Sequence, residues 1–589
     1  MDQKRLLIAI AVSLAILLGY QYFAVRYLPH PPTPSQTATE PATSATGGSA
    51  SSATAARGGQ SVAAPPGGAA TAAKPAPRIA LAIDAPSVRG SINLLGARLD
   101  DLVLTKYRAT EAPNSPDVQL LAPQTSKKSY FVQYGWSAAG EQHLALPGPD
   151  TVWTASAKAL TPDRPVTLSW NNGAGLTFHI AFTVDAHYMF GVTQSVTNAS
   201  GTAVKLYPWM RVRRDYTPPP SGDYILFEGL TGIAHGRLQE MGYPKVKSNA
   251  KDKPGNVGYE TTSKGGWAGI SDKYWLAALI PDQAVPATLR YRSIPGGDGH
   301  YQVDYVPATP ETVAPGASAS LASHMFAGAK VVNLLDHYES KYKIPQFDKA
   351  VDFGWFYFLT KPIFYALDYL NALLGNFGLA IMAFTVCVKL LFFPLANYSY
   401  RSMSKMRLLA PKVSAMRERY KDDPQKQQQE MMALYKAEKV NPASGCLPMV
   451  VQIPVFFSLY KDIFVTIEMR QAPFFGWIHN LAAMDPTNVF TLFGLVPWDP
   501  TVISPLLHLG ALPIIMGLTM FAQQKLNPTP PDPVQAKLFL FMPIIFTFML
   551  ARFPAGLVVY WTWNNMLSVA QQWVIMRRTR LTRPGLART

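Results

Sequence analysis

Residues 377–396 form an apolar run of about 20 residues that carries a single charge, Lys389. As a helix the run is roughly 30 Å long, enough to cross the hydrocarbon of a bilayer. A cation in such a place costs on the order of 2.5–3.5 kcal/mol even on the mildest scale. Lys389 stands eight residues before Asn397, roughly 12 Å of helix from the end of the run. One reading lets it snorkel to the headgroups along its aliphatic stem, although the stem covers only about half that distance. The other opens a water-filled cavity with Lys389 facing into it.

Composition supports a membrane setting. Of the 589 residues 48% are apolar and only 15% are charged, against about a quarter charged in typical soluble proteins. The length exceeds one ordinary domain. The two cysteines, Cys387 and Cys446, both lie in apolar runs, which argues against a disulfide framework. The net charge of +16 admits nucleic acid, an anionic surface or cytoplasmic loops, and its placement decides among them.

The chain divides by changes of pattern. Residues 1–27 read as an N-terminal transmembrane anchor, with Lys4 and Arg5 holding its start in the cytoplasm. A cleaved signal peptide is the alternative, but Tyr20, Tyr22, Phe23 and Tyr27 crowd the exit where a small-residue cleavage site belongs. Residues 28–78, rich in Pro, Ala, Ser, Thr and Gly, read as a disordered linker. In residues 79–335 Leu176, Phe178, Ile180, Phe182 and Val184 alternate with polar or small residues, the period of a half-buried strand. Phe190, Val192 and Val196 repeat the pattern after a turn at 185–187, and further short β-rich runs occur near 99–104, 130–134, 166–170 and 287–291. This predicts a large all-β sandwich on the far side of the membrane. Residues 336–376 predict a connection and an interfacial amphipathic helix, its aromatics mixed with Lys361, Asp368 and Asn371.

The remainder, 377–576, predicts an α-helical core of five crossings at 377–396, 446–467, 503–522, 536–551 and 557–576. A basic helical hairpin fills 398–440, and 577–589 form a basic tail. The loop before residue 442 holds ten Lys and Arg against five acids, whereas the loop at 470–502 has one Arg against Asp485 and Asp499. Five crossings place both the hairpin and the tail inside, so most of the positive charge is topology. No DNA partner is implied.

Polar groups suited to a cavity lie on neighbouring segments. Thr385 precedes Lys389 by four residues, on one helical face. Gln452 lies between Pro448 and Pro454, and Thr562, Asn564, Asn565, Ser568, Gln571 and Gln572 make the last helix polar. Singly each reads as an interhelical hydrogen bond; together they favour a wet interior. The fourth crossing spans only about 24 Å against a core of about 30 Å, which favours local thinning. On the hairpin, Arg401, Lys405, Arg407, Lys412, Arg417 and Arg419 are a solvated face or a surface for incoming chains and ribosomal RNA. No nucleotide loop, zinc-protease or nucleophile-elbow motif occurs, so no catalytic residue, cofactor or metal ligand is assigned. His179 and His187 read as structural, and the Asn198-Ala199-Ser200 sequon as chance.

Several strings resemble one family, the YidC/Oxa/Alb membrane-protein insertases, in its Gram-negative form with a large periplasmic domain. They are SKMRLLAPKVSAMRERYKDDPQKQQQEMMALYKAEKVNP, GCLPMVVQIPVFFSLY, EMRQAPFFGWIHNL, FMPIIFTFMLARFPAGLVVYW and GSINLLGARLDDLVLTKYR. The resemblance implies a periplasmic β-supersandwich and a five-helix core enclosing a hydrophilic groove, open to cytoplasm and lipid. It sets Lys389 where the family usually carries an arginine; a lysine keeps the charge without the planar fork. It also sets Thr385, Gln452, Tyr560 and Trp561 at groove-lining positions, Trp561 where a tyrosine is common. The implied function is insertion, folding and assembly of new membrane proteins in the bacterial inner membrane, alone or with the Sec translocon. Implied partners are nascent membrane proteins, the Sec translocon, membrane lipids, and the ribosome through the basic loop and tail. The competing readings are a secondary transporter with an intramembrane lysine, and a carbohydrate-binding or carbohydrate-active outer domain on an anchor.

Overall fold

The computed structural model describes residues 79–219, 226–296, 299–438, 440–441, 447–496, 498–504, 507–526 and 533–581. The expected anchor at 1–27, the expected linker at 28–78 and residues 582–589 of the basic tail lie outside the described residues.

Among the described residues, twenty strands between Ala80 and Ala329 form an eleven-stranded and a nine-stranded sheet. The strand Leu176–Val184 pairs antiparallel with Met189–Asn198, setting Phe190 opposite Val184, Val192 opposite Phe182 and Val196 opposite Phe178. Its inward residues Phe178, Ile180 and Phe182 are fully buried, as the alternation requires. The two sheets face each other across aromatic contacts. Trp136 packs on Phe178 at 5.0 Å and Tyr134 on Phe182 at 6.0 Å, each pair joining one sheet to the other. The sandwich therefore closes around one apolar core. Helix α1 (Tyr243–Ala250) turns Tyr243, Val246 and Ala250 inward. Asn198 is buried, and its amide donates to the carbonyls of Thr202 and Val313 at 2.8 and 2.9 Å. The sequon is thus structural.

Beyond the sandwich, α2 (Val332–Tyr342) and α3 (Tyr357–Leu374) follow. Helix α3 buries Thr360, Ile363, Phe364 and Leu367 and exposes Phe358, Tyr369 and Leu373, an amphipathic division. Lys361 binds Asp336 of α2 at 2.8 Å and Asp348 at 2.5 Å. Burial lowers and these carboxylates raise its proton affinity, and the net direction is upward.

The helical remainder comprises α4 (Phe377–Leu391), α5 (Phe393–Arg419), α6 (Pro424–Ala437), α7 (Leu447–Val465), α8 (Ala511–Leu526), α9 (Pro533–Leu550) and α10 (Ala555–Leu581). The Asn376 side chain caps α4 by accepting from the Leu379 N–H at 3.1 Å. Two expectations need correction. The crossing at 377–396 is not one straight helix: it breaks at Phe392, and α4 meets α5 at 67°. Pro394 opens α5, where its missing N–H is harmless. The crossing expected at 503–522 becomes helical only at Ala511. The N–H groups of Ala511 and Leu512 donate to Thr487 Oγ1 and Asp485 Oδ2, both at 2.8 Å. These caps fix the helix start, while Asp499 and Pro500 hold the preceding residues in a 3-10 turn. Among the described residues no single helix is long and apolar enough to cross a membrane; α4 and the first part of α5, to Met406, reach that length and composition only when taken together across the bend.

Helices α5 and α6 pack together, with Leu409 and Val413 buried and Lys412 on Glu438 at 3.0 Å. Asp423 caps α6 through the N–H groups of Gln425 and Lys426. Helices α8 and α9 approach closely at Gly517, where a Cβ would strike the Thr547 side chain; small residues permit such contacts between membrane helices.

Candidate functional site

The last turn of α4 carries Lys389, whose Nζ donates to Ser568 Oγ of α10 at 2.8 Å. The Ser568 hydroxyl in turn donates to the Asn564 carbonyl of its own helix at 2.7 Å. Among the described residues no carboxylate lies within ion-pair distance of Lys389. Its side chain is half-buried and lines a small, partly open cavity with Phe392, Tyr400, Gln452, Val455 and Gln571. The break at Phe392 shapes this space, because α5 turns aside where a straight helix would have continued. Pro448 and Pro454 bracket Gln452 on α7, and Pro448 also borders the cavity.

The expected groove residues divide. Lys389 and Gln452 line the same cavity. Tyr560 is buried and accepts a hydrogen bond from the Gln452 amide, so it holds a cavity residue without lining the cavity itself. Thr385 is buried, and its hydroxyl donates to the Ile381 carbonyl of its own helix at 2.6 Å. Trp561 sits in an aromatic cluster, 4.7 Å from Phe456 and 5.9 Å from Phe546. Neither Thr385 nor Trp561 is on the cavity wall.

Two polar groups of the wall deserve equal rank. Gln571 is buried at both polar ends without a hydrogen-bond partner, and Tyr400 enters from α5. Gln571 was legible as one of several polar residues on the last helix; Tyr400 had no signal, because only the bend at Phe392 brings it near. The wall sets one ammonium and neutral donors and acceptors among apolar side chains, polar partners enough to hold water. Such an arrangement hydrates a polar segment and attracts negative charge; it holds no nucleophile beside a base.

The polar helix α10 is also the fastener of the core. Trp563 Nε1 donates to the Met382 carbonyl of α4 at 3.2 Å, Asn565 to Thr519 of α8 at 3.2 Å, and Gln572 to the Leu526 carbonyl at 2.9 Å. On the α5–α6 pair, Arg401, Lys405, Lys412 and Arg419 are exposed and Arg417 is half-buried; Arg407 belongs to α5.

Comparison with known proteins covers nearly the whole described chain. A family model described as the YidC periplasmic domain matches residues 80–366, and one described as the 60Kd inner membrane protein matches residues 369–582. The membrane protein insertase YidC of Granulibacter bethesdensis is 58% identical over 593 residues, covering 100% of both chains. Its counterpart in Acidiphilium cryptum is 59% identical, covering 85% of this chain and 84% of its own. That of Methylobacterium nodulans is 49% identical, covering 98% and 95%. A crystal structure of an active YidC insertase, with its first transmembrane domain resolved, aligns at a TM-score of 0.34 and 17% identity, over 84% of this chain and 94% of that one.

Proposed function

This chain belongs to the YidC family of membrane protein insertases, and from that premise we propose how its own residues carry out insertion. It is a bacterial inner-membrane protein with a periplasmic β-sandwich and a helical C-terminal region, and its substrates are newly made membrane proteins. It is not an enzyme.

The groove is the cavity beside Lys389. A substrate's hydrophilic tail enters it from the cytoplasm, where Lys389, Gln452, Gln571 and bound water replace part of the tail's hydration. The observation that carries this reading is an ammonium held by a neutral hydroxyl, with no carboxylate paired to it among the described residues. Its charge remains available to an acidic tail, at a distance where low local dielectric strengthens attraction. Tyr560 holds the Gln452 amide in place, and Thr385 and Trp561 belong to the supporting wall. The substrate's apolar segment then leaves sideways along the exposed apolar faces of α4 and α7, where Leu390, Leu391, Val450, Ile453 and Phe457 point outward. Substrate hydrophobicity and the proton-motive force drive the transfer.

In this arrangement α4, α7, α8, α9 and α10 are the five crossings. The α5–α6 pair is cytoplasmic, as are both termini, and α3 lies in the periplasmic interface. The exposed cations of the α5–α6 pair and the basic tail meet the ribosome and anionic headgroups, and the Sec translocon is a second partner. The test is depletion with complementation: the host's own insertase is removed and insertion of a small, Sec-independent membrane protein is followed. Restored insertion supports the reading. A stably accumulated chain that restores none refutes it.

A further inference from the structure

Between α7 and α8 the chain makes an excursion that insertion does not use. Residues 488–504 read NVFTLFGLVPWDPTVIS, with Asp499 as the single charge. Both ends are clamped to a buried base: Asn488 donates to the Leu507 carbonyl at 3.0 Å and accepts from the Phe490 N–H at 3.1 Å, while the Val489 N–H meets the Leu509 carbonyl at 2.9 Å. From that base the excursion shows water its apolar side chains. Leu495 and Val502 are each 83% exposed and Ile503 73%, with Leu492, Phe493 and Trp498 also exposed.

Much of the backbone finds its hydrogen-bond partners within the excursion. Every N–H of residues 493–496 and 501–504 donates to an acceptor within 488–504. The Trp498 indole N–H donates to the Phe490 carbonyl at 3.0 Å, leaving only ring to present outward. Asp499 is occupied as a cap, accepting from the Thr501 N–H at 2.9 Å and its hydroxyl at 2.6 Å. Leu492 and Phe493 adopt left-handed backbone, φ +48° and +58°, a conformation bulky residues rarely take. A water-facing turn there would use Gly or Asn; this one holds leucine and phenylalanine, both outward. Internal satisfaction of backbone polar groups is the condition lipid imposes, and tryptophan favours the level of the headgroups.

We infer that the described residues 488–496 and 498–504 form a monotopic anchor that dips Leu492, Phe493, Leu495, Val502 and Ile503 into the periplasmic leaflet of the membrane. The inference rests on the reading of α8 as a span, since the excursion precedes α8 in the chain. Its apolar surface continues there through the exposed Ile515, Leu518 and Phe521. The occupant is lipid and not a protein partner, because a wide apolar face with one capped charge lacks the polar rim of a protein interface.

The test uses the full chain in nanodiscs of phosphatidylethanolamine and phosphatidylglycerol, with Cys387→Ser and Cys446→Ser removing the native thiols. An environment-sensitive fluorophore is placed singly at Phe493→Cys, Val502→Cys, Leu518→Cys or Glu141→Cys, and quenched by lipids bearing a nitroxide near the headgroup or deep in the acyl chain. The expected result is quenching at 493 and 502 at least twofold stronger with the shallow nitroxide, quenching at 518, and none at 141. Quenching at 518 without quenching at 493 and 502 overturns the inference and leaves the span intact. A blue-shifted but unquenched probe at 493, dependent on two copies per disc, overturns it in favour of a second chain. No quenching at 518 removes the span itself, which is a separate failure.

Discussion

Lys389 of α4 and Ser568 of α10, 179 residues apart in sequence, meet at 2.8 Å. A hydroxyl satisfies one of the three ammonium donors without cancelling its charge. An aspartate at the same distance would form a charge-assisted pair and close the site to acidic substrates. The neutrality of the partner is therefore as informative as the charge of the lysine.

Ser568→Asp should neutralise Lys389 and reduce insertion of acidic-tailed substrates on the order of tenfold, the factor that accompanies about 1.4 kcal/mol. Ser568→Ala should cost far less, because other neutral acceptors and water share the cavity. Protease protection of the translocated tail measures both.

The outer domain is fastened to the helical core just beyond α7. Arg470 donates to the carbonyls of Arg108 and Ala109 at 2.6 and 3.2 Å and lies 5.4 Å from the Trp275 ring. Glu468 accepts from the Val332 N–H at 2.9 Å. Arg470→Ala should cost about 1.5–3 kcal/mol, the range for hydrogen bonds to charged groups. It should show as faster limited proteolysis between the two parts, with each part's own fold intact.

Arg214 is buried inside the sandwich and binds Asp272 through two bonds of 2.7 and 2.6 Å, with the Tyr243 hydroxyl at 2.7 Å. Asp272→Ala leaves the guanidinium buried and uncompensated, a loss of about 3–5 kcal/mol. Urea denaturation followed by tryptophan fluorescence should show it, whereas exposed pairs such as Arg89 with Asp84 at 3.9 Å should contribute little.

Lys330 sets a pH dependence. Burial pushes its ammonium down to about 8, whereas the unfolded chain holds that proton to about 10.4. Between these values the unfolded state binds more protons, so this group's contribution to stability rises with pH. The penalty is full below pH about 8 and is relieved above it, with a slope approaching about 1.4 kcal/mol per pH unit. Lys330→Met should remove that slope and be more stable at pH 7. Denaturation midpoints from pH 7 to 9.5 decide it; parallel curves for the two proteins contradict it.

Local periodicity made much of the sandwich legible. The alternation around Phe178 and Phe190 marks two strands because one face of each is buried and the other is not. Helix α6 was legible from the Asp422-Asp423-Pro424 joint, since Asp423 caps it. Long-range consequences were not. Pro394 marks a break just before it, but nothing local sets the 67° angle of the bend. The start of α8 depends on Asp485, held 27 residues away by folding. For the candidate site, Lys389 and Gln452 stood out by cost and context. Thr385 and Trp561 are nearby, but rotamer and helix rotation direct them elsewhere, and Tyr400 enters only through the bend.

The central claim is that the uncompensated charge of Lys389 works on the substrate. It is tested most directly by comparing wild type, Lys389→Arg and Lys389→Ala in insertase-depleted cells, with one Sec-independent substrate carrying either an acidic or a neutral tail. The expected result is near-full insertion of both substrates by wild type and Lys389→Arg. For Lys389→Ala, the expected loss is on the order of tenfold, confined to the acidic tail. Equal insertion by all three proteins, each present at the same level, contradicts the account and leaves Lys389 as a lysine that merely snorkels.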